Sequence, residues 1–201
     1  MGALLIHLSP SSVHKIYCNL YRLVMQEDLG TSKLIWQVCH GGMLGLKYLS
    51  AVRTDLLVQN PELLDGVVRA VMRGLADLDD DVRAVSAATL IPIAAEFITL
   101  RPQAVDGLIN VVWECLSHLK DDLSASTGSV MDLLAKLCSF PQVLETMRHK
   151  ASTDPSYVNP LSLSLIMLIN TGNRFPCWSL DYIPSCDTPS PVSDLQYCGP
   201  F

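Results

Sequence analysis

No two cysteines of this chain stand as C-x-x-C, and its 5 histidines form no group spaced to hold zinc. The 7 cysteines, Cys18, Cys39, Cys115, Cys138, Cys177, Cys186 and Cys198, lie far apart. That is the pattern of reduced thiols in a cytosolic or nuclear protein. Positive charge is scarce too: 14 Lys and Arg stand against 20 Asp and Glu, for a net charge of −6. Nonspecific nucleic-acid affinity needs a basic face, so direct DNA binding is not expected. No Gly-x-x-x-x-Gly-Lys-Ser/Thr loop occurs, and without one there is no nest of N–H groups for a triphosphate. The N-terminus has no basic stretch followed by a sustained apolar core, and no run approaches the roughly 18 apolar residues of a membrane span. The chain reads as soluble and unsecreted, with no cofactor, no metal, no small-molecule substrate and no membrane partner.

What is present is apolar mass. Of 201 residues 49 % are hydrophobic and only 17 % charged, enough for one domain with a real core. The central stretch runs from Leu75 to Ile98. Asp79 is a candidate N-cap, and Asp80 and Asp81 suit the positive end of a helix dipole, so a helix is predicted to begin near Asp80. From Val82 to Ile98 nearly every angle of a 3.6-residue wheel is apolar, with Thr89, Pro92, Glu96 and Thr99 as a narrow polar strip. Such a helix has to be covered on most sides. Pro92 lies on that strip, where a kink is tolerated. Arg83, set among Val82, Leu90 and Phe97, needs an acidic or carbonyl partner, and Asp79 or Asp121 across a repeat boundary is the expected one.

Before this stretch three helices are predicted. One covers Ser11 to Asp28, with Val13, Ile16, Leu20, Leu23 and Val24 on its apolar side. A second covers Ser32 to Arg53, and in it Gly41 and Gly45, one turn apart, point to close approach of a neighbouring helix. A third opens at Pro61, buries Leu64, Val67, Val68, Val71 and Leu75, and turns Glu62, Asp65, Arg69 and Arg73 to water. After Pro102 a helix over Gln103 to Leu119 buries Val105, Leu108, Ile109, Val112, Leu116 and Leu119, with Trp113 as a packed rim residue. Another runs from about Leu123 to Phe140.

Sliding the chain by about 41 residues lays Leu78-Asp79-Asp80-Asp81-Val82 over Leu119-Lys120-Asp121-Asp122-Leu123, Ile93 over Leu134 and Ala94 over Ala135. A helix, acidic turn, helix unit recurring at about 40 residues is the mark of an all-α solenoid of the HEAT or armadillo kind, in which each pair hides its apolar face against the next. That reading covers residues 1–154. Residues 155–201 hold seven of the 12 prolines and a single cation, Arg174, and are expected to be an irregular or disordered tail.

Cys39 beside His40 offers no nucleophile and base, since adjacent helical residues point about 100° apart. The aspartates at 79 to 81 supply too few spaced oxygens for a calcium loop. They cap a helix and, together with Lys120, Asp121 and Asp122, are the candidate contacts for a basic partner.

The run from Trp36-Gln37-Val38-Cys39-His40-Gly41-Gly42-Met43-Leu44-Gly45 to Leu46-Lys47-Tyr48-Leu49, then Ala51-Val52-Arg53, then Asp79 to Ala88, then Asp121-Asp122-Leu123-Ser124-Ala125-Ser126-Thr127, resembles the N-terminal HEAT region of the TATA-binding-protein-associated factors of the Swi/Snf ATPase class, the modifier-of-transcription family of fungi. The resemblance covers about Met1 to Asp154. It implies a nuclear, non-catalytic scaffold that grips the TATA-binding protein through inter-helix loops, while an ATPase separate in sequence displaces that protein from DNA. DNA is then met only indirectly. The alternative is a solenoid scaffold of the transport or phosphatase type with another partner.

Overall fold

The computed structural model describes residues 5–26, 35–118 and 125–153, and among them every regular element is helical. In order these are α1 (Pro10–Met25), α2 (Trp36–Val52), α3 (Thr54–Gln59), α4 (Pro61–Leu75), α5 (Asp80–Leu90), α6 (Ala94–Leu100), α7 (Val105–His118), α8 (Ala125–Cys138) and α9 (Pro141–Thr153), with 3-10 turns at Ile91–Ile93 and Pro102–Ala104. α1 packs on α2, α4 on α5 and α7 on α8; α1, α4 and α7 make one layer, and α2, α5 and α8 the other. The all-α solenoid is therefore present. Helices of the second layer start at 36, 80 and 125, so the structural repeat is 44 to 45 residues and not 41. The tail, residues 155–201, lies outside the described residues, as do Lys120, Asp121 and Asp122.

Local chemistry sets the ends of these helices. Ser9 Oγ accepts from the Ser12 N–H at 3.3 Å, with Pro10 in the first turn, and this opens α1. α1 closes three residues before Asp28, on Gln26 in the left-handed region at φ 54°. The Gln26 side chain then clasps the start of α2: Oε1 accepts from Ile35 N–H and Nε2 donates to Ile35 O, both at 2.8 Å. Pro61 opens α4, where Asn60 Oδ1 accepts from Glu62 N–H, and its stripe of Leu64, Val67, Val68, Val71 and Leu75 is buried.

Elsewhere the structure corrects the sequence reading. The helix over Asp80 to Ile98 is two helices joined at Pro92, which lacks the N–H the α-ladder needs there. Thr89, placed on the polar strip, is fully buried, and its hydroxyl donates to Val85 O at 2.7 Å. Ser86 is buried likewise, donating to Val82 O at 2.6 Å. Asp65 and Arg73 do not simply face water: Arg101 holds Asp65 through Nε at 2.6 Å and Nη2 at 3.2 Å, and Arg73 Nη1 donates to Asp77 at 2.9 Å. The stretch Asp80–Leu100 is, by length and composition, apolar enough to cross a membrane, against the expectation of no such run, yet 56 % of its most apolar window is buried against this protein's own helices. Its two helices form the core of the stack.

Gly41 mediates no helix contact among the described residues, where no atom of another element lies within 4 Å of where its Cβ would stand. The close approach of α1 to α2 falls at Gly42 and Gly45, whose Cβ positions would lie 2.9 Å from Val24 Cγ2 and 2.4 Å from Leu20 Cδ2.

Between α1 and α4, the Tyr17 hydroxyl fills the space left by Gly66, 1.7 Å from where its Cβ would stand. Burial, and then the neighbouring Tyr21, push the Tyr17 phenol up to about 12, with Arg69 opposing. A raised folded-state pKa favours the protonated folded form. Stability from this group is thus complete below the unfolded value of about 10 and is lost as pH rises from there toward about 12. Urea midpoints measured from pH 9 to 12 are expected to fall in wild type and to fall less in Tyr17→Phe; identical curves would place the tyrosine in water.

Candidate functional site

The turn between α4 and α5 is built by two arginines reaching in from the helices on either side. Asp79 Oδ1 accepts from Val82 N–H at 3.1 Å and caps α5. Asp77 Oδ1 accepts from Asp79 N–H at 3.1 Å, while its Oδ2 takes Arg73. Arg83 closes the loop from the other side: Nη1 donates to the carbonyls of Asp77 at 2.9 Å and Leu78 at 2.8 Å, and Nη2 donates to Asp80 Oδ1 at 2.8 Å. Five N–H donors in a fixed plane are what lets one side chain hold two carbonyls and a carboxylate together.

The turn also reaches the next repeat. Asp80 Oδ2 accepts from Ser126 N–H at 3.3 Å, and the Ser126 hydroxyl donates to Asp80 Oδ1 and lies 3.4 Å from Arg83 Nε. A carboxylate of one helix pair therefore caps the N-terminus of α8 in the following pair, where exposed N–H groups favour an anion. Arg83 does cross the repeat boundary as expected, but to Ser126, and its carboxylate is Asp80 on its own helix and not Asp79. Beneath the turn sits the buried Cys115 thiol, which burial pushes up, with Arg83 opposing.

Three carboxylates are thus occupied: Asp77, Asp79 and Asp80 hold the turn together. Asp81 is exposed and stands outside that network. Leu78 is 98 % exposed at the tip. Of these residues Asp77 and Ser126 escaped the sequence reading. Asp77 had a signal, since Arg73 stands four residues before it on one helix face. Ser126 had none, because 43 residues separate it from Arg83. Among the described residues no three of His, Cys, Asp and Glu converge to hold a metal ion.

No protein-family model matches the chain. Individual relatives do: it is 60 % identical over 155 residues, 77 % of its length, to the TATA-binding protein-associated factor mot1 of Aspergillus fumigatus. The chain is a homologue of the TATA-binding protein-associated factors. The relationship extends beyond the filamentous fungi, to MOT1 of Saccharomyces cerevisiae at 43 % identity over 158 residues and to human TATA-binding protein-associated factor 172 at 44 % over 153. The chain spans about 8 % of the length of these relatives, so it corresponds to a small segment of a TATA-binding protein-associated factor.

Proposed function

We propose that this chain is a non-catalytic scaffold segment of a nuclear transcription regulator that holds the TATA-binding protein, while an ATPase carried elsewhere in the full-length protein displaces that protein from DNA. The names of the relatives support the partner. The observation that carries the contact is the turn from Asp77 to Asp81, a rigid loop between helices that spends three carboxylates on its own structure and leaves Asp81 free for a cation on another surface. Lys120, Asp121 and Asp122 would extend that contact in the next repeat. A net charge of −6 favours a basic protein partner over nucleic acid, so DNA is engaged only through the partner or the distant motor.

Retention of purified TATA-binding protein by the immobilised chain, measured across a salt series, tests this. Asp81→Lys is expected to weaken binding by about fivefold at low salt and to flatten the salt dependence, at a stability cost of about 1 kcal/mol, because Asp81 makes no internal hydrogen bond and acts on the fold only through the dipole of α5. Equal binding by both forms would remove the acidic turn from the interface. No retention by the full-length protein would favour a scaffold with a different cargo.

A further inference from the structure

Cysteine and histidine do meet in this chain, one helical turn apart and not side by side. His14 and Cys18 occupy i and i+4 of α1, and Cys18 Sγ lies 3.5 Å from His14 Nε2. With the ring proton on Nδ1, Nε2 accepts from the thiol. Cys18 is half-buried, whereas Cys39, Cys115 and Cys138 are buried. Burial pushes the Cys39 thiol up to about 11 and the Cys138 thiol up to about 12, and raises Cys115 as well. Those three are therefore both protonated and out of reach. His14 is exposed on its other side, and with Pro10, Leu56, Gln59, Asn60 and Leu63 it lines an open cleft of about 330 Å³ between α1 and the α3–α4 corner. Such a volume is at the small end of what holds compact organic ligands.

We propose that Cys18 is a covalent modification site for soft carbon electrophiles of the Michael-acceptor class, with His14 as the base and the neighbouring cleft as the seat for the electrophile's apolar body. The Cys18 sulfur bonds the β-carbon of the acceptor, and the carbon–carbon π pair moves onto the α-carbon. The thiol proton, taken up at His14 Nε2, is delivered to that carbon. Nothing leaves, and no oxidant takes part. The site is independent of the TATA-binding-protein reading.

The test exposes the full chain to substoichiometric N-ethylmaleimide at neutral pH and follows each cysteine by peptide mass spectrometry, folded and in guanidinium. In the folded chain Cys18 is expected to react about tenfold or more faster than Cys39, Cys115 and Cys138, with the four rates converging on unfolding. His14→Gln is expected to slow Cys18 about threefold or more, with circular dichroism unchanged. N-cyclohexylmaleimide should gain on N-ethylmaleimide at Cys18 only in the folded chain. A buried cysteine that labels as fast as Cys18, an unchanged rate in His14→Gln, or no folded-state preference for the cyclohexyl reagent would each overturn the assignment.

Discussion

Alanine at Gly42 is expected to cost about 2 kcal/mol of folding stability, while alanine at Gly41 adds up to about 1 kcal/mol. The two positions are adjacent on α2 and carry the same residue, so intrinsic helix propensity is equal at both and favours alanine in each case. Packing decides the sign. A Cβ at Gly42 would stand 2.9 Å from Val24 Cγ2, 3.0 Å from the Leu20 carbonyl oxygen and 3.0 Å from Leu23 Cβ. Two of these three atoms belong to the rigid part of α1, so no rotamer change relieves them and the helices have to part. Separation would open contacts around Val24 and Leu46, both with no exposed surface. At Gly41 the added methyl meets no atom of another element within 4 Å among the described residues. Gly45 is intermediate, since the atom in the way there is the end of the Leu20 side chain, which can rotate. Urea denaturation followed by circular dichroism checks all three. A Gly42→Ala protein as stable as wild type would mean that α1 and α2 are not in contact along this line.

That contrast also marks how far the sequence could be read. Spacing placed glycines on α2 and implied a close neighbour, but 3.6-residue periodicity cannot say which angle of a helix meets which partner, and Gly42 lies about 100° round from Gly41. The inner stripe of α4 and the Asp79 cap were legible because each rests on local chemistry that tertiary contacts did not override. Thr89 was not legible as a core residue, because a hydroxyl that bonds back to its own helix carbonyl loses its need for water. α3 was missed because six residues are too few to show a period, although Leu56 and Leu57 are buried in it. α9 had the same signal as α4, a proline in the first turn at Pro141, ahead of the buried Val143 and Met147. Of the candidate site, the run of aspartates and the need of Arg83 for partners were visible. The division of labour within that run was not, since it depends on a serine one repeat away.

Arg83→Ala is expected to destabilise the fold by about 3 kcal/mol. The guanidinium is only 18 % exposed and makes four contacts in three directions: two carbonyls of the turn, one carboxylate, and the hydroxyl of Ser126. Removing it takes the Arg83 charge away from the Asp80 carboxylate and frees the Asp77 and Leu78 carbonyls from the helix that fixed them, a loss larger than that of any one hydrogen bond. The damage spreads to the next pair, because Asp80 caps α8 through Ser126 and a loosened Asp80 weakens that cap. Lysine keeps the charge but brings one compact centre in place of a planar fork, so Arg83→Lys should recover less than half of the loss. A double-mutant cycle with Ser126→Ala should show coupling of about 1 kcal/mol, since the two side chains share Asp80. Set beside Asp81→Lys, the pair separates frame from contact: Arg83→Ala should lower stability strongly and the proposed retention of the TATA-binding protein with it, and Asp81→Lys should lower retention at a stability cost of only about 1 kcal/mol. Should Arg83→Ala cost under half a kcal/mol in urea denaturation, the turn is not held by this arginine, and the rigid presentation of Asp81 on which the proposed partner contact rests goes with it.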